Sequence, residues 1–162
     1  MIGRFIISHR LWLLFAIVAA LTASFGLIES RGNFVLLDRL SDPAAVRETL
    51  AAYTDQQVMA HIWTTAVLDV AYPLAYGTLF ALLPMTLFPR GAQWLALPAL
   101  LVVLADLAEG GVQLAALMGQ TQFIGLKAWL TPFKFGLFGL SAVIALAAAC
   151  YALYRPAARN TA

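Results

Sequence analysis

Leu68-Asp69-Val70-Ala71-Tyr72-Pro73-Leu74-Ala75-Tyr76-Gly77 sets a carboxylate, two phenols and a proline inside an otherwise apolar run. Hydrophobic sequence flanks Asp69 for at least a helical turn on both sides, which places it at hydrocarbon depth. A charge there costs roughly 3 kcal/mol, so the residue needs partners. Two sets lie downstream in comparably apolar surroundings: the acids Asp106 and Glu109, and the bases Lys127 and Lys134. The chain therefore reads as an all-α integral membrane protein with a polar interior.

Composition agrees. Of 162 residues, 62% are hydrophobic and only 11% charged, where soluble domains carry about a quarter charged. At about 20 residues per crossing there is room for four or five spans and no large soluble domain. A net charge of +2 without a basic stripe argues against nucleic-acid binding. A single cysteine, Cys150, excludes an internal disulfide and any zinc motif built on paired cysteines.

Outward from the central stretch, spans are expected at about 11–28, 57–88, 94–118 and 123–154, with an outer loop at 29–56, all in one membrane domain. The first is read as an uncleaved anchor, because its apolar run from Leu11 continues to Ile28, past Ala23 and Ser24. In the loop, Asp42-Pro43 reads as an N-cap with proline at the first helical position. Val46, Leu50 and Tyr53 then recur at helical spacing, predicting a short amphipathic surface helix over 43–53. Thr54-x-x-Gln57 has the form of a capping box and starts the second long helix, which Pro73 and Pro84 should kink. Pro89-Arg90-Gly91 makes a tight connection, and Arg155-Pro156 follows the fourth span. Gly136-x-x-Gly139 reads as packing room for Phe135 and Phe138, while Gly110-Gly111 suits either close helix packing or a local break.

The charges orient the bundle. Arg4, Arg10, Arg90, Arg155 and Arg159 fall on one side without an acid among them; the outer loop carries five acids, Asp38 among them, against three Arg. By the positive-inside rule both termini face the cytoplasm of a bacterial inner membrane, and Trp12, Trp94, Trp129, Tyr151 and Tyr154 mark the interfaces.

Helical spacing then gathers one site. His61, Thr65, Asp69, Tyr72 and Tyr76 share a stripe on span two; Asp106, Glu109 and Gln113 share a face of span three; Lys127, Thr131 and Lys134 share one of span four. Three inward stripes make a carboxylate-lysine cluster opening outward beneath the amphipathic cap. With three carboxylates against the deep Lys134 and a more peripheral Lys127, either one carboxyl keeps its proton or a cation joins. Asp69, Asp106, Glu109 and Lys134 are the candidates for acid-base chemistry. Tyr72, Tyr76, Trp129, His61, Gln113 and Lys127 are candidates for ligand contact, with His61 read first as snorkelling to the interface.

Four uses compete. They are ion pairs that hold the bundle in register, proton or ion coupling, a hard divalent metal on the carboxylates, and a pocket for a small amphiphile. Four short spans without an inverted repeat suit alternating access poorly unless a homo-oligomer forms. The partners expected are membrane lipid and an amphiphilic, lipid-like ligand; no cofactor and no metal ligand set is specified. No nucleophile motif or phosphate loop is present.

The order Tyr53, His61, Thr64, Leu68-Asp69-x-x-Tyr72-Pro73-Leu74-x-Tyr76-Gly77, then Asp106-x-x-Glu109, resembles an uncharacterised family of small bacterial four-span membrane proteins. Those proteins carry Asp-x-x-Tyr/Phe-Pro and Asp-x-x-Glu-Asn segments in separate spans. The resemblance covers roughly residues 50–135 and implies that Asp69, Asp106 and Glu109 form one site; it implies no reaction. Gly110 stands where that pattern has Asn.

Overall fold

A computed structural model describes the backbone of residues 2–32, 34–88 and 91–159, and side chains within 9–151 except those of 33, 87, 89 and 90. The expected Pro89-Arg90 connection, the side chains of Arg4, Arg155 and Arg159, and Tyr154 lie outside the described residues. The described chain is α-helical without strands: α1 (Ile2–Gly32), α2 (Pro43–Ala52), α3 (Asp55–Trp63), α4 (Asp69–Leu87), α5 (Ala92–Leu117) and α6 (Lys127–Arg159). Four stretches are long and apolar enough to cross a bilayer: His9–Gly32, Asp55–Thr86, Ala92–Leu117 and Thr121–Tyr151. This is the architecture of a multi-pass membrane bundle.

Local signals account for the boundaries. Asp42 caps α2 by accepting from the Ala44 and Ala45 amides, with Pro43 in the first turn. Thr54 and Gln57 form the reciprocal capping box that starts α3. Gly119, at φ 87°, takes the left-handed conformation that turns the chain after α5, and Gly91, at φ 77°, does so before it. Val46 is fully buried on α2, whose Leu50 and Tyr53 pack with it against Leu37, Leu117 and Ile124. The amphipathic helix thus seats on the Thr121–Leu126 turn, forming a cap at one end of the bundle. Phe88 stacks on Tyr151 at 5.1 Å and ties α4 to α6 at the other end.

Helices α4, α5 and α6 pack mutually, while α1 leans on α4. Gly77 lets α4 and α5 approach closely: a Cβ there would meet Val103 Cγ2 at 2.2 Å. Several expectations need correction. The second long helix is interrupted by a π-helical turn, Thr64–Leu68, immediately before Asp69. The last helix runs on to Arg159, past Pro156. A Cβ at Gly136 or Gly139 would meet nothing within 4 Å, so neither makes packing room. Of the two readings left open for Gly110-Gly111, the local break is not found, since α5 is continuous through both.

Candidate functional site: a carboxylate-lysine cluster beneath a strap

The cluster centres on Glu109, which is fully buried on α5. Its Oε1 accepts from Lys127 Nζ at 2.5 Å and from the Thr131 hydroxyl, and its Oε2 lies 2.5 Å from Lys134 Nζ. Lys134 also reaches Asp106 Oδ1 at 3.0 Å, and Tyr76 donates to Asp106 Oδ2 at 2.7 Å. The three stripes therefore converge. Counting turns from the cap ends of α5 and α6, Lys134 and Asp106 lie about 10 and 16 Å along the bundle.

One decisive residue comes from outside the three stripes. Asp38, expected among the acids of an exposed outer loop, enters the cluster from the strap 34–40. It accepts from Gln113 Nε2 at 2.5 Å, lies 3.6 Å from Lys134 Nζ, and lines the same cavity as Asp69. The strap is anchored by Phe34, Leu36 and Leu37, all buried, and by the Tyr53 hydroxyl donating to the Val35 carbonyl. Four consecutive apolar residues inside a polar connector were the available signal that it turns inward. Burial of Tyr53, reinforced by Glu29, raises its phenol to about 12.

Burial would raise the Asp38 carboxyl, but Lys134, then the Gln113 amide and Lys127, outweigh it and hold the group below its ordinary 3.8. A carboxyl depressed on folding contributes stability that is complete above the unfolded value and lost as pH falls through the folded one. Hydrogen exchange of 34–40, corrected for intrinsic rates, should therefore stay slow from neutral pH to pH 5 and accelerate only below about pH 4. Release centred near neutral pH would assign the attachment to another group.

The strap, α1, α4, α5 and α6 enclose a cavity of about 320 Å³. Its polar end is formed by Asp38, Asp69, Asp106 and Lys134, and its walls by Phe25, Tyr72, Tyr76, Phe135 and Phe138. Asp69 and Tyr76 are 7% and 2% exposed at its base. Arg39, exposed and paired with Glu29 at 2.8 Å, and Phe135, 54% exposed, form its rim. The opening thus has one edge in the connector and one on the lipid-facing side of α6, and the strap, not α2, covers the polar end. Pro73 also lines the cavity and, lacking an N–H, leaves the Asp69 carbonyl without its usual helical donor.

Not every candidate reaches this cavity. Trp129 is 79% exposed and points away from it, because it lies two residues, about 200° of helical rotation, from both Lys127 and Thr131. His61 does not snorkel: it is fully buried between the Phe34 and Tyr53 rings, at 5.6 and 5.7 Å, and neither nitrogen has a hydrogen-bond partner among the described residues. Gln113 and Lys127 are buried behind the cavity, holding Asp38 and Glu109, and Lys127 is not peripheral. The π-helical turn lies between His61 and Asp69 on the sequence stripe; Asp69, Tyr72 and Tyr76 face the cavity, whereas His61 and Thr65 do not. Among the described residues no group of three or more His, Cys, Asp or Glu is placed to hold a metal ion. No family model, curated protein or solved structure matches the chain.

Proposed function

We propose that this protein binds an amphiphilic, lipid-like molecule in the strap-covered cavity. The observation that carries the reading is the cavity's division: aromatic rings line its walls, while three carboxyls and an ammonium meet at its base. A buried apolar pocket with a few convergent polar groups is the usual form of a small-molecule site. Its rim, with Arg39 on the connector and Phe135 on the lipid side, suits a ligand that straddles the interface.

The cluster then divides into two roles. Glu109, Lys127 and Thr131 are buried away from the cavity and act as the ion-paired knot that sets α5 against α6, which is the structural reading confined to these residues. Asp69 and Asp106 face the cavity and contact the head of the ligand, with Asp38 and the ion-paired Lys134 completing their wall. Carboxyls beside an ammonium equip the same end for acid-base chemistry on that head. The Arg-rich ends and acid-rich connector support placement in the bacterial inner membrane with both termini cytoplasmic.

The test is photolabelling in nanodiscs with an alkyl amphiphile bearing a diazirine on its chain. Saturable labelling of Tyr72 and Phe138, competed by unlabelled amphiphile, is expected, with only non-saturable labelling at the exposed Leu146. Uniform, non-saturable labelling of all these positions would reject the pocket.

A further inference from the structure

The charge of the cluster narrows the ligand class, an inference that rests on the amphiphile reading above. Four carboxylates, Asp38, Asp69, Asp106 and Glu109, converge on two ammonium groups, Lys127 and Lys134. Arg39 does not redress the balance, since its guanidinium is held by Glu29 at 2.8 Å. The four carboxyls outnumber the two ammonium groups by two, so even uptake of one proton leaves a surplus negative charge in a largely buried setting, where unbalanced charge is costly. Both lysines are also engaged: Lys127 with Glu109, and Lys134 with Glu109 and Asp106. Neither is free to receive an anionic head.

The wall beside this surplus is aromatic and continuous. Phe25 meets Tyr72 at 5.5 Å, Tyr72 meets Tyr76 at 5.1 Å, and Tyr76 meets Phe138 at 5.1 Å, and all four rings line the cavity. Ring faces attract cations, most strongly where water is excluded, and cages of such rings are a recurrent way of holding quaternary ammonium groups. We infer that the cavity takes an amphiphile with a positively charged amine or ammonium head, placed between the ring wall and the carboxyls of Asp69 and Asp106. A head of charge +1 offsets that surplus. An inorganic cation would satisfy the charge and leave the aromatic wall without a role.

Isothermal titration into protein-loaded nanodiscs of zwitterionic lipid, corrected with empty nanodiscs, tests this with three probes of equal chain: octyltrimethylammonium, octyl glucoside and octyl sulfate. Octyltrimethylammonium should bind saturably and at least about ten-fold more tightly than the other two, the scale of about 1.4 kcal/mol. Asp106→Asn, which keeps the shape and removes the surplus charge, should abolish that preference while leaving glucoside binding in place. Tyr72→Leu serves if that variant does not fold, and should weaken the ammonium probe selectively. Equal or tighter binding of glucoside or sulfate would overturn the cationic head while leaving the amphiphile pocket standing. Absence of saturable binding by every probe would overturn both. Displacement of the ammonium probe by millimolar sodium or potassium would assign the site to an inorganic cation and overturn the inference.

Discussion

Glu109→Gln should be the most damaging single isosteric change in the bundle. Glu109 is the only carboxylate paired with Lys127 among the described residues, and Lys127 is 1% exposed. The glutamine keeps the volume and an acceptor for Thr131 but removes the charge that both lysines face. The stranded ammonium costs about 3 kcal/mol, the scale of removing one partner from a buried ion pair. The expected result is a large fall in thermal midpoint in detergent, with most of the loss recovered in Glu109→Gln/Lys127→Met. An unfolding midpoint close to wild type in the single variant would show that the pair is not what holds α5 to α6. Failure of the double variant to recover would move the role from charge balance to some other property of Glu109.

The second large effect is expected at Lys134. It is the cation common to Asp38, Asp106 and Glu109, so Lys134→Met leaves Asp38 with the Gln113 amide and no ammonium within 4 Å. The strap should lose its attachment before the bundle loses its helices, because Glu109 keeps Lys127. A loss of about 2 kcal/mol, the scale of a hydrogen bond to a charged group, corresponds to roughly a thirty-fold acceleration of hydrogen exchange over 34–40, with the amides of α5 changing far less. Adding Asp38→Asn removes the stranded charge and should restore global stability without restoring strap protection. Unchanged strap exchange in Lys134→Met would mean that Phe34, Leu36 and Leu37 suffice to hold the strap, and that the ion pair is incidental.

Much of this arrangement is legible from residue spacing. Lys127, Thr131 and Lys134 recur at intervals of four and three, as do Asp106, Glu109 and Gln113. A polar stripe on an apolar helix at that spacing turns inward, because facing lipid would leave its charges unpaired in hydrocarbon. The same rule points the Trp129 ring outward; its chemistry suits a pocket wall, but its angular position opposes one. The caps at Asp42 and Thr54 follow from local hydrogen bonding and need no tertiary information.

What spacing could not supply is non-local. Asp38 looks like an ordinary acid of a polar connector, and its role depends on the apolar run before it folding back onto α5 and α6. Its insertion changes the charge count of the cluster, and with it the chemistry assigned to the ligand. The π-helical turn at Thr64–Leu68 is equally invisible to an ideal helical wheel: an i→i+5 ladder adds rotation between His61 and Asp69 that no composition announces. An ideal wheel therefore groups His61 with cavity residues that it does not join. Phe25 and Phe138 are ordinary apolar positions until α1 and α6 bring their rings beside Tyr72 and Tyr76.

If the buried carboxyls form the head end of an amphiphile-binding cavity, a ligand should travel with the protein through purification. Native mass spectrometry of the detergent-purified protein, wild type beside Asp69→Leu, detects it. The variant replaces a polar contact at the cavity base with an aliphatic side chain and leaves Asp38 paired with Lys134 and Gln113. The expected result is a bound small amphiphile on the wild type that is lost from an equally folded Asp69→Leu protein. A wild type free of any adduct after reconstitution with lipid extract, or an adduct retained undiminished by the variant, would contradict the assignment of these carboxyls to a ligand.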